Sequence, residues 1–160
     1  MITVMNKTVE RILIGIFIIM TFSVTWQVLS RYIFNFSASF TEELARFCLM
    51  WLAILGAAYM TGQREHISID YFFNKFSHKQ QKKLDYFIEI LILLFSLAVL
   101  VIGGAYLMYM TFYLDQKSPA LQIPLGIIYS ILPISGILII IYTIDHLKKI
   151  SNSKNPTHES

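Results

Sequence analysis

The chain has 160 residues, 56% of them hydrophobic and 14% charged, with a mean hydropathy of +0.59. Soluble domains carry about 45–50% apolar and about 25% charged residues, so this composition excludes a soluble globular protein and specifies an integral membrane protein. The formal charge of +3 does not mark a nucleic-acid binder, because Lys and Arg adjoin apolar runs rather than following one polar face. The single cysteine, Cys48, excludes an internal disulfide and a dithiol redox pair.

The spacing predicts an all-α fold of four transmembrane helices in one domain. After a short polar start carrying Lys7, Glu10 and Arg11, residues 12–33 are almost wholly apolar, enough for the roughly 20 residues a bilayer core requires. The run exceeds the usual apolar region of a secretory leader and no A-x-A cleavage site follows, so it reads as a retained span. Gln27, Ser30 and Arg31 mark its end. A short connection then makes the second span, 41–62, an antiparallel neighbour. Ser39 with Glu42 fits a capping box, Thr41 is an alternative cap, and Glu42 and Glu43 fall in the first turn, where the helix dipole favours carboxylates. Ala53, Gly56 and Ala57 form a small-residue face suited to close helix packing.

Between Gln63 and Lys83 the chain turns polar and basic, yet Ile69, Phe72, Phe73 and Phe76 recur at i, i+3, i+4, i+7. A short amphipathic interfacial helix over 68–77 is expected there, with Ser68 as its cap. The third span, 84–114, is longer than the hydrocarbon thickness, and Asp85 and Glu89 place its start at the membrane surface. Gly103, Gly104 and Ala105 offer a second close-packing site. The fourth span, 125–147, carries Pro133 in its interior, where the missing N–H predicts a kink, and Gly126 with Ser130 forms a further small pair. Residues 148–160 are expected to be a polar tail. Placing both termini in the cytosol puts ten of the thirteen Lys and Arg residues inside, so the expected topology is N-in, C-in.

Chemistry finds little footing. His66, His78 and His158 fall in loops or tail and His146 at a helix end, not at the mid-span positions axial haem ligands occupy. Cys48 between Phe47 and Leu49 reads as packing. No acidic residue stands deep in a span as a proton-coupled exporter requires, and no internal repeat of the kind common in secondary transporters is visible. The sharpest feature is the charge group at the outer mouth. Glu42 and Glu43 lie four and three residues before Arg46, within reach along one helix flank, and Arg31 supplies a second cation. An ion-pair cluster locking helices 1 and 2 and a contact for another protein are both compatible with it. His66 and Asp70, four apart, stand at the inner mouth, where a local loop pair is the plain reading.

At these residues the sequence resembles the small, Q-type membrane subunit of tripartite ATP-independent periplasmic (TRAP) transporters. The matching residues are Arg31 and Tyr32; Thr41, Glu42, Glu43, Leu44, Ala45 and Arg46; Trp51, Gly56 and Ala57; and His66, Ile67 and Asp70. Phe40 stands where the family often has tryptophan, and helices 3 and 4 carry no such motif. The resemblance implies a non-catalytic subunit of the bacterial inner membrane with no cofactor of its own. In such systems a periplasmic binding protein delivers an organic acid, such as a dicarboxylate or a sialic acid, to a large membrane subunit. That subunit moves it inward by a sodium-driven elevator motion and holds the substrate and sodium sites, while the small subunit packs on its static scaffold. By the same analogy Arg31, Glu42, Glu43 and Arg46 border the edge where the binding protein docks. Two competing expectations are a self-sufficient small multidrug-type transporter acting as a homo-oligomer and the membrane anchor of a redox enzyme.

Overall fold

The computed structural model describes residues 2–33, 39–63 and 78–152. The expected interfacial helix at 68–77, His66, Asp70 and the last part of the tail lie outside the described residues. Helix α1 runs Ile2–Ile33 and α2 Ser39–Gln63. The third long helix is continuous but changes its winding. It is α-helical over His78–Phe95 (α3), π-helical over Ser96–Gly103, and α-helical again over Gly104–Tyr113 (α4). The fourth is α5, Leu125–Tyr129, followed by α6, Ile131–Asn152.

Four stretches are long and apolar enough to cross a membrane: Thr3–Ile33, Ser39–Gln63, Lys83–Tyr113 and Leu125–Ile150. The fourth is the centre of the bundle, with 39% of its most apolar window buried against 6% for the first. Packing runs in sequence from α1 to α2, from α2 to α6, and from α6 to α3 and the π-helical segment, while α4 meets α5. Exposed Phe17, Phe22, Phe87, Ile102 and Tyr106 line its flanks, as expected of surfaces that face hydrocarbon or another membrane subunit.

The fourth span breaks at Ser130, three residues before Pro133. A proline cannot donate to the carbonyl four residues back, and its ring crowds that carbonyl, here that of Tyr129, so the disruption falls one turn upstream of the proline itself. Past the break, the third and fourth helices cross closely at two glycines. A Cβ on Gly104 would stand 2.7 Å from Leu132 Cβ, and one on Gly136 2.8 Å from Leu100 Cβ. Backbone approach of this kind supplies the dispersion contact that drives helix association where no hydrophobic effect operates. At the other end of the crossing, the fully buried Tyr142 ring lies against the backbone of Gly62, 2.8 Å from where a Cβ would be. Gly103, by contrast, comes within 4 Å only of its own helix, at Ala98 O.

Candidate subunit interface

The charged end of α2 is built together with the loop between the third and fourth spans. Two residues past the end of α4, Asp115 has a φ of 43° that turns the chain into the left-handed region, and Gln122 repeats this at 55°. Between them Ser118 N–H donates to Ile123 O (2.9 Å) and Leu125 N–H to Gln116 O (2.9 Å), folding 116–125 back on itself. This leaves the N–H groups of Ala120 and Leu121 pointing at α2. Glu43 Oε2 accepts both, at 2.9 and 2.8 Å. A carboxylate taking two backbone N–H groups forms charge-assisted bonds, stronger than an exposed ion pair.

Glu43 therefore does not pair with Arg46 as the sequence spacing had implied. Among the described residues Arg46 Nη2 pairs with Glu42 Oε1, at 3.2 Å, with both side chains more than half exposed. Arg31, in the last turn of α1, is exposed and makes no ion pair among the described residues. The expected four-residue cluster thus resolves into an anchor, Glu43, a solvent-facing pair, Glu42 and Arg46, and a separate cation.

The rest of α2 has two unlike faces, set by its 3.6-residue period. One carries Leu44, Cys48, Trp51, Leu55 and Ala58 and packs inward, with Ala58 fully buried. On it Trp51 Nε1–H donates to Ile128 O (3.0 Å), a carbonyl left near the helix break without an ordinary place in the ladder. An apolar slot of about 230 Å³, open on one side, lies between this face, Ile16 of α1 and the residues Leu121 and Ile123. The opposite face carries Glu42, Arg46, Leu49, Ala53, Ala57 and Met60, all exposed, and a Cβ on Gly56 beside them would meet nothing within 4 Å. The small-residue face of Ala53, Gly56 and Ala57 is thus open in this chain, and the close approaches among the described glycines are at Gly62, Gly104, Gly126 and Gly136 instead.

One polar pair escaped the sequence reading altogether. Glu89 of α3 and His146 of α6 are 57 residues apart in the chain but joined in the fold by a hydrogen bond between His146 Nδ1 and Glu89 Oε1 at 3.1 Å. Both are buried, at 8% and 4% exposure. The available signal was that both are polar residues on helix faces otherwise apolar, which in a span implies a partner. Among the described residues no group of three or more His, Cys, Asp or Glu side chains is placed to hold a metal ion.

The sequence signature of the family described as "Tripartite ATP-independent periplasmic transporters, DctQ component" matches residues 20–151. The chain is 31% identical over 134 residues to a putative TRAP transporter small permease protein of Haemophilus influenzae, covering 84% of this chain and 81% of that one. It is 28% identical over 100 residues to the sialic acid TRAP transporter small permease protein SiaQ of Vibrio cholerae, covering 62% and 58%. Over 121 residues it is 32% identical to the isethionate TRAP transporter permease protein DctMQ of Oleidesulfovibrio alaskensis, covering 71% of this chain but only 19% of that much longer one. The extent of the matches settles the family: this chain belongs to the DctQ family of small membrane components of TRAP transporters.

Proposed function

We propose that the chain is a non-catalytic scaffold subunit of a sodium-coupled importer of an organic acid, holding the static part of a large membrane subunit through the open face of α2. The observation that carries this reading is the two-sided α2. Its inward face packs within this chain around Leu55 and Ala58, while Ala53, Gly56 and Ala57 present an open surface. Small residues on an otherwise bulky span let another helix backbone approach. An ion pair at the head of the same face is better placed against a protein groove than against lipid tails. The long DctMQ relative, of which this chain matches a fifth or less, supports a partner that elsewhere shares one polypeptide with the small component.

In this reading the chain lies in the bacterial inner membrane with both termini cytosolic, and substrate and sodium are bound by the large subunit, not by this chain. The loop pinned by Glu43, together with Glu42, Arg46 and Arg31, forms the outer edge offered to a periplasmic binding protein. The names of the relatives include a carboxylic acid, sialic acid, and a sulfonate, isethionate, so the imported solute is an organic anion of that general class. Co-expression with a large TRAP membrane subunit and affinity purification tests the assignment. A stable stoichiometric complex is expected. Sodium-independent uptake by this chain alone in liposomes would instead establish the homo-oligomeric transporter.

A further inference from the structure

Helices that carry serine or threonine inside a membrane ordinarily satisfy the hydroxyl on the carbonyl one turn back. This chain does so repeatedly: Thr21 bonds Phe17 O, Ser23 bonds Ile19 O, Thr61 bonds Ala57 O and Thr111 bonds Leu107 O, all at 2.8–3.0 Å. Ser96, Ser135 and Thr143 do not. Their hydroxyls are buried, at 1%, 0% and 0% exposure, and like that of Tyr142 they have no hydrogen-bond partner among the described residues. The second carboxylate oxygen of Glu89, Oε2, is likewise buried and unpartnered.

Of these groups, Glu89, Ser96 and Thr143 share one stretch of the seam between the third and fourth helices. Glu89 meets His146, Leu100 and Val101 meet Gly136, and Gly104 meets Leu132 and Pro133, which fixes an antiparallel register between the third and fourth helices. Within that register Ser96 and Thr143 fall between the Glu89–His146 pair and the Gly136 crossing, one from each helix. Ser96 is also the residue at which the third helix changes to π-helical winding, a distortion frequent at functional sites. A buried polar group without a partner carries a desolvation penalty, and buried water is the usual remedy where about two to four polar partners converge.

We infer that the third and fourth helices enclose an internal water-binding site, in which ordered water accepts from the hydroxyls of Ser96 and Thr143 and donates to Oε2 of Glu89. Glu89 and Ser96 are seven residues apart, roughly 10 Å along the helix, so about two waters in file are needed to join them at ordinary hydrogen-bond lengths. A metal ion is the less suitable occupant, because the imidazole is already hydrogen-bonded to this carboxylate from its other side. The site stands apart from the proposed subunit role, since it lies between helices three and four and involves no residue of α2.

The test is a double-mutant cycle on the full chain in lipid nanodiscs, read as the thermal unfolding midpoint. Sites this far apart and without direct contact give additive shifts unless something joins them. Glu89→Gln and Ser96→Ala are expected to be strongly non-additive, the double variant losing little more than the worse single one. Thr143→Val should couple to both, whereas Thr61→Val, whose hydroxyl bonds its own helix, should couple to neither. Should Glu89→Gln fail to fold, the pair Ser96→Ala and Thr143→Val gives the same decision. Additive shifts throughout, or a high-resolution map in which the neighbours of Glu89 Oε2 are all protein atoms, would overturn the site.

Discussion

The two faces of α2 have almost the same residue classes and opposite fates. Both carry Leu and Ala in mid-helix, yet Leu55 and Ala58 are buried while Leu49 and Ala53 stand open. Composition alone does not separate them. The inward face is the one on which a Trp N–H finds a loose carbonyl and a Tyr ring finds a glycine, whereas the open face offers no group within this chain to which anything is fitted. In a membrane, where lipid tails are as apolar as leucine, such shape matching and hydrogen bonding, rather than hydrophobicity, decides which face is internal.

The comparison is broken most severely from the inward side. Gly62→Leu drives a side chain into the Tyr142 ring, and overpacking of this kind typically costs about 1–3 kcal/mol or more. Loss of a folded, monodisperse chain in size-exclusion chromatography is the expected outcome. Ala53→Trp on the open face should leave the unfolding midpoint of the isolated chain within about 0.5 kcal/mol of wild type, as surface substitutions do. It should nevertheless weaken capture of the large subunit at least about tenfold, equivalent to about 1.4 kcal/mol. A variant that unfolds the isolated chain would show that this face is internal after all.

Glu43 lies on the flank between the two faces and sharpens the distinction. Glu43→Ala strands the N–H groups of Ala120 and Leu121, a loss of about 1–3 kcal/mol when such groups are buried and less in proportion to their access to water. Faster amide hydrogen exchange at those two residues is the measurement. Glu43→Gln keeps an acceptor oxygen and should restore most of the protection. Glu42→Gln removes only one member of an exposed i, i+4 pair, and its effect on stability should stay below about 0.5 kcal/mol. Arg46→Ala should matter more to capture of the large subunit than to folding, so the ratio of the two effects reports whether the pair serves assembly.

Much of the architecture was legible because it is local. Twenty apolar residues in a row announce a span whatever they later touch, and all four spans coincide with long apolar helices in the structure. The place of Glu42 in the first turn of α2 was equally readable from its position ahead of an apolar run. What each carboxylate binds was not. Glu43 reaches a loop 77 residues away, and Glu89 a histidine 57 residues away, distances over which periodicity says nothing. The small-residue motif at Ala53, Gly56 and Ala57 was visible, but the sequence does not tell whether such a face meets a helix of its own chain or another's. Pro133 was recognised as a helix breaker, while the break itself appears at Ser130, because the group that loses its partner is the carbonyl four residues before the proline. The π-helical segment Ser96–Gly103 left no mark in the apolar run that carries it.

Site-directed cross-linking tests the central claim most directly. In a Cys48→Ala background, which removes the only native thiol, Ala53→Cys, Ala57→Cys and Leu55→Cys would each be co-expressed with a large TRAP membrane subunit and treated with a short thiol-reactive photo-cross-linker. Adducts to the large subunit from residues 53 and 57 but not from 55 are the expected result. Adducts of this chain to itself from 53 and 57, or none to the large subunit from either, would contradict the assignment of the open α2 face to subunit assembly.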